Sequence, residues 1–336
     1  MKHPHSGVEV ELKLLVPAEA ERGYALARGE PEAPVKAQPA VLARSMSVSA
    51  AFKAVMWANL SHLQANERGM LEGRDPEYLH QMRVALRRLR SAFNVFSPLL
   101  PKAAMAPWVA ELRWLASRLG PARDWDVFMT ETLPAMESSP GGRGALRTFS
   151  TRYRRLRGAA NARARCAVRS ARCQRLMLAL AGWLAAGAWL ARLDRRKRAA
   201  LESPAEKFAA AVLEKRHTRV RKRGRGLGGL SAPDLHRLRI AVKKFRYATD
   251  FFTGLFSLHR SRAMRGRLAR LQDILGAMND AATGAKLVEL GIGRVRGAPA
   301  RSARSVVLGW VRNRDAALKR ELQSAWKALR SADKFW

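Results

Sequence analysis

Cysteine is nearly missing from this chain: Cys166 and Cys173 are the only two in 336 residues. A disulfide scaffold is excluded, and two turns along one helix would hold the pair too far apart for a relaxed bridge. No cysteine cluster or His-x-x-x-His pair suggests structural zinc. Long apolar runs are also absent. The longest uncharged stretch, Leu176–Ala191, has sixteen residues between Arg175 and Arg192. A bilayer needs about twenty, so a buried helix is expected there and no transmembrane insertion. The first thirty residues lack the apolar core and small-residue cleavage site of a secretory signal, which gives the expectation of a soluble cytoplasmic protein.

Negative charge is the scarcest commodity. Acidic residues number 27 against 63 Lys plus Arg, a net charge of 63 − 27 = +36. Residues 1–45 carry six of each sign, so the whole excess falls on residues 46–336. Such a charge repels itself and calls for a polyanion or an anionic surface. The hydrophobic share of 48% excludes a disordered basic tail.

What is present is helical. Residues 1–44 stand apart as a tail: Val8–Leu14 alternates apolar and charged side chains like a strand, and residues 30–39 hold three prolines. From Ser47 on, apolar residues recur at helical spacing with no β-branched runs. The punctuation predicts helices near 47–71, 76–99, 103–119, 122–135, 143–169, 171–193, 205–223, 232–256, 258–276, 278–290 and 302–333. The fold class expected is all-α. Trp57, Trp114 and Trp183 fall on apolar helical positions and are assigned to cores.

An internal repeat organises the helices. With an offset of 156, Leu79-His80 falls on Leu235-His236, Arg83 on Arg239, Arg90 on Arg246 and Phe96 on Phe252. The register continues through Leu112 on Leu268 and Leu119-Gly120 on Leu275-Gly276 to Asp124 on Asp280. A constant offset over more than forty positions implies two similar units, residues 45–193 and 194–333, around a pseudo-twofold axis.

The repeated helix has two faces. His80, Arg83, Arg87 and Arg90 form one stripe, and Leu79, Met82, Leu86, Leu89, Phe93 and Phe96 the apolar one beside it. In the second copy His236, Arg239, Lys243 and Arg246 stand beside Leu235, Leu238, Val242, Phe245 and Phe252. Arg88 and its counterpart Lys244 extend the cationic set. Like charges at this spacing destabilise a helix unless a counter-charge arrives, and their retention in both copies marks a binding surface. Guanidinium forks and ammonium groups suit phosphate oxygens, and a row of phosphates would satisfy all of them. Bound phosphates would raise the pKa of His80 and His236, so affinity should fall as pH rises between about 5.5 and 8.

Further basic runs supply Arg154 and Arg157, then His217, Arg221 and Lys222, as additional anion-binding candidates. Asp124 and Asp280 each follow a Leu-Gly break, and the reading for both is a helix cap or a salt bridge orienting an arginine. No nucleophile stands beside a base, so no catalytic residue, metal or cofactor is assigned.

His80–Arg90 resembles the signature of the CHAD domain, the conserved-histidine α-helical domain, and His236–Tyr247 resembles its second copy. Leu119–Val127 also resembles a family segment, with a looser repeat at Leu275–Asp280. The resemblance covers residues 45–333 and implies two four-helix bundles enclosing a basic groove. It further implies binding of inorganic polyphosphate and association with polyphosphate-containing or polyhydroxyalkanoate granules. In the tail, Glu9-Val10-Glu11-Leu12-Lys13 resembles the opening strand of a CYTH domain, a triphosphate-processing tunnel. The other strands of a tunnel are missing, so the pattern is read as a relic without catalysis. The leading expectation is a non-catalytic polyphosphate binder. A grip on nucleic-acid backbone is the alternative, and a residual tripolyphosphatase using Glu9, Glu11 and Lys13 the least favoured.

Overall fold

The computed structural model describes residues 33–336 apart from Arg74 and Arg192. The strand-like pattern at Glu9–Lys13 lies outside the described residues. Among the described residues, thirteen α-helices with short 3-10 and π turns make an all-α fold of two helical bundles. The first bundle contains α1 (Val48–Ala65), α2 (Glu67–Glu72), α3 (Pro76–Phe96), α4 (Lys102–Val127), α5 (Leu133–Glu137), α6 (Gly142–Arg147), α7 (Ser150–Arg169) and α8 (Ala171–Ala185). Helix α9 (Arg195–Glu202) leads into the second: α10 (Ala205–Arg223), α11 (Ala232–Phe252), α12 (Leu258–Ile292) and α13 (Ala298–Arg330).

The offset of 156 holds at the level of helix ends. Helix α3 spans residues 76–96 and α11 spans 232–252, and α4 and α12 begin at 102 and 258. Local chemistry sets the shared boundary. Asp75 caps α3 by accepting from the Glu77 amide, and Ser231, its counterpart, caps α11 by accepting from that of Asp234. A proline in the first turn of each helix costs no hydrogen bond, because amides there have no intrahelical partner.

Two helix breaks expected from the sequence are not made. Pro107 and Pro121 lie inside α4, and α12 runs unbroken through Gly276 and Met278. Leu112, Leu115, Leu119, Ala122 and Trp125 all face the core along α4. Burial of that stripe outweighs the roughly 3 kcal/mol that an interior proline costs. A third proline does distort the first copy. Pro134 has no amide for the carbonyl of Thr130, and the chain makes a π turn over Phe128–Thr132 immediately before it. The second copy has no proline there and continues as straight α12. The fourth layer is likewise one helix in the second bundle, α13, but is divided at Ser170 into α7 and α8 in the first. Cys166 and Cys173 therefore sit on different helices, the former exposed and the latter buried, with both thiols free.

One apolar core runs through both bundles. Phe96 meets its own repeat counterpart Phe252 with ring centroids 5.9 Å apart, and Phe208 packs on both rings. Equivalent residues of two related units can touch each other only near the axis relating them, so this contact marks the pseudo-twofold. Trp57, Trp114 and Trp183 pack half-buried against the core, as their positions predict. The described end of the tail is tied to the body. Val35 exchanges hydrogen bonds with Asn66, Leu42 is buried, and Arg44 donates to the Leu255 carbonyl. Among the described residues no helix is long and apolar enough to cross a membrane.

Candidate functional site

Helices α3 and α11 cross beside the pseudo-twofold axis, each with its apolar stripe in the core. On α3, Leu79, Met82, Leu86, Leu89, Phe93 and Phe96 are buried; on α11, Leu238, Val242, Phe245 and Phe252 are. That packing turns the cationic stripes toward one another. The clearest sign is Lys243, whose ammonium is pushed down to about 8 by burial and then by Arg239, Arg87, Arg90 and Arg83. Three of those four arginines belong to α3. The crossing is fixed by Arg87, whose Nε donates to the Tyr247 hydroxyl at 3.0 Å.

The upstream end of the row is more enclosed. Burial pushes Arg83 down to about 10 against the pull of Asp124, and its guanidinium lies over Gly120, where a Cβ would come within 3.1 Å. Gly276, the counterpart of Gly120, has nothing within 4 Å, so Arg239 is not seated the same way. Burial likewise drives His80 down to about 4, reinforced by Arg123, Arg87 and Arg83 and opposed by Glu77. Its counterpart His236 is exposed. Two buried atoms of the row, His80 Nδ1 and Arg83 Nε, have no hydrogen-bond partner among the described residues. Arg83 Nε is an unmet donor beside like charges, which an oxyanion would satisfy, while His80 Nδ1 donates or accepts according to its tautomer.

Asp124 and Asp280 meet at this row. Burial raises the Asp124 carboxyl above the ordinary carboxylate range and Asp280 adds to the rise, while Arg83, Arg123 and Arg239 oppose it. Both aspartates lie inside unbroken helices, so the capping half of their expected role is overturned, and the arginine-orienting half fits their place.

The other sequence candidates are engaged by neighbours, lie at the end of the row or stand apart from it. Arg88 is buried, donates to Asn59 Oδ1 at 2.6 Å, lies 3.7 Å from Asp250 and sits over the Phe251 ring. It has no free fork for an external anion and leaves the candidate set. Lys244 faces Arg216 and Arg219 of α10 rather than the shared row. Arg246 neighbours Arg88 at the far end of the crossing. Arg157 is bound at 2.7 Å to buried Asp126, while Arg154 is exposed at the rim of a cavity of 350 Å³. His217 is buried between the rings of Phe245 and Trp336 and lies in the wall of a cavity away from the shared row. Arg221 and Lys222 are exposed beside a separate cavity.

The sequence reading missed Arg113 and Arg123 of α4, which add positive potential near Arg90 and His80. Their contribution depends on how α4 packs against α3, and neither residue is repeated, since 113 + 156 and 123 + 156 give Ala269 and Asn279. Among the described residues no group of three or more His, Cys, Asp or Glu side chains could hold a metal ion.

Comparison with known proteins fits this geometry. A model of the CHAD domain matches residues 54–289. A crystal structure of the CHAD domain from the plant Ricinus communis superposes with a TM-score of 0.76 and 32% identity, covering 91% of this chain and all of that one. PptA from Streptomyces chartreusis shares the fold at a TM-score of 0.59 and 18% identity, with 85% of this chain and 99% of that one aligned. No curated protein sequence matches the chain. A repeated histidine-and-arginine helix, two bundles about a pseudo-twofold axis and a family match over most of the length place this chain in the CHAD family of non-catalytic helical domains.

Proposed function

We propose that the row shared by α3 and α11 binds long inorganic polyphosphate without catalysis. The observation that carries this reading is Lys243, a half-buried ammonium whose charge is disfavoured by burial and then by arginines of both repeats, beside the Arg87–Tyr247 bond that joins the two helices. A site that concentrates positive charge from two helices is stabilised by an anion that reaches both. Polyphosphate has closely spaced charges on a flexible backbone and can follow such a row, whereas a rigid duplex cannot bend into it. Arg83, Arg87 and Arg90 on one side, with Arg239, Lys243 and Arg246 on the other, supply the contacts. His80 serves as a neutral hydrogen-bonding group and His236 as an exposed one at the mirrored end. Asp124 and Asp280 orient Arg83 and Arg239. In the cell, retention on polyphosphate would bring the protein to polyphosphate-containing granules.

A competition titration tests the proposal directly. A labelled long polyphosphate is bound at physiological salt and displaced with unlabelled polyphosphate, tripolyphosphate, RNA or duplex DNA. The proposal expects unlabelled long polyphosphate to compete best. Stronger displacement by RNA or DNA at equal phosphate concentration would replace it with backbone binding of nucleic acid.

A further inference from the structure

Away from the shared row, a cavity of 850 Å³ opens where α10 ends, between the turn at 224–229 and the last turns of α13. None of its lining residues belongs to α3 or α11. Its floor is fixed, because the Trp326 ring packs so closely on Gly224 that a Cβ there would collide with it. Gly226, at φ +63°, lets the chain double back over the opening. Four exposed cations from three segments converge on it: Arg221 and Lys222 from α10, Arg225 from the turn and Arg330 from α13. None of these four forms an ion pair among the described residues. The one carboxylate in the lining, Glu214, is already occupied by Lys334 at 2.8 Å and by the Trp336 indole N–H at 3.1 Å.

The repeat supplies an internal comparison. The turn before α3, shifted back by 156 residues, lines a cavity of 350 Å³ together with α7. There one of three arginines is answered, since Arg157 pairs with buried Asp126, Asp75 stands at the rim, and Arg154 and Arg165 line the opening without an ion pair among the described residues. Two carboxylates thus stand against three arginines in the first-bundle cavity, and one against five cations in the second.

We propose that the second-bundle cavity is a separate site for a compact oligophosphate, the triphosphate group carried by inorganic tripolyphosphate or by a nucleoside triphosphate. Cations that converge from three directions on one cavity satisfy a short, densely charged anion better than an extended chain, which the linear row of α3 and α11 suits. The proposal does not depend on what occupies that row.

The test uses calorimetric titration of the full chain with tripolyphosphate and, separately, with ATP at physiological salt. One variant combines Arg221→Ala, Lys222→Ala and Arg330→Ala. A control combines Arg169→Ala, Arg301→Ala and Arg312→Ala, three exposed arginines whose loss removes the same charge. The first variant should lose at least about tenfold in tripolyphosphate affinity, the cost of a single charge-assisted contact. The control should keep the parent affinity, and both should melt like the parent by circular dichroism. A parallel response of ATP would assign the site to nucleotides as well, and its indifference would restrict it to the inorganic ligand. Equal losses in both variants, or none in either, would overturn the proposal. A variant with Arg83→Ala, Arg87→Ala and Lys243→Ala separates the two sites, since it should still bind tripolyphosphate at the cavity whether or not the row holds polyphosphate.

Discussion

Two neighbours in sequence, Arg87 and Arg88, show how little a residue's type says about its task. Arg87 faces Lys243 and the Tyr247 hydroxyl, whereas Arg88 is enclosed by Asn59, Asp250 and Phe251. Arg88→Ala should therefore destabilise the fold by about 2 kcal/mol, because it leaves the buried Asn59 amide oxygen unpaired, whereas Asp250 keeps Arg265 at 3.1 Å. Its effect on polyphosphate affinity at a temperature where the variant is folded should be slight. Urea denaturation beside a binding titration checks both halves. Two groups of the row are shifted far enough to set its pH dependence. Burial holds His80 at about 4 in the free protein, so the fall in affinity that it contributes starts there and ends at the raised pKa of the complex. Lys243, at about 8, contributes a second decline at higher pH. A bound polyanion favours the ammonium and raises its pKa, so its contribution to affinity should be constant below about pH 8 and fall as pH rises through the pKa of the complex. The arginines stay charged, and binding declines without vanishing. Lys243→Arg should flatten the profile above pH 8; an unchanged decline in that variant would remove Lys243 from the site. The stripe itself was legible from helical spacing, because side chains three and four apart share a face. The partners that withdraw Arg88, Arg157 and His217 from solvent come from other helices, and local periodicity carries no record of them.

At the scale of elements, the repeat was the strongest signal, and both the caps at Asp75 and Ser231 and the matched ends of α3 and α11 follow it. Helix continuity was harder to read. Proline and glycine at 121, 276 and 120 look like punctuation locally, but a stripe of buried leucines on either side keeps α4 and α12 intact. The π turn at Phe128–Thr132 is a related case, because its cause, Pro134, was visible while its consequence depends on packing. That turn meets α12 at Gly284, where an added Cβ would come within 2.6 Å of Thr132 Cγ2. Gly284→Ala should therefore cost about 2 kcal/mol through overpacking at the contact between the bundles. A lowered urea midpoint with unchanged slope is the expected result. A midpoint equal to the parent's would show that the junction yields at no cost.

For the molecule as a whole, a net charge of +36 ensures attraction to any polyanion, so attraction alone does not identify a function. The distribution of that charge does more, since the two repeats bring their cationic rows together beside the axis that relates them. A ligand long enough to span both rows gains its second set of contacts intramolecularly. Affinity should rise steeply with polyphosphate chain length until the row is filled, then level off. It should also weaken with added salt, less steeply in variants that have lost part of the row. The most direct measurement compares the parent with two triple variants, Arg83→Ala/Arg87→Ala/Arg90→Ala and Arg239→Ala/Lys243→Ala/Arg246→Ala, and with their combination. Long-polyphosphate affinity is read at physiological salt, with circular dichroism confirming the fold. Each triple variant should lose about a hundredfold, equivalent to two charge-assisted contacts of about 1.5 kcal/mol each, and the combination should retain only background attraction. Affinities equal to the parent's in all three would contradict the account and move the polyphosphate site off these helices.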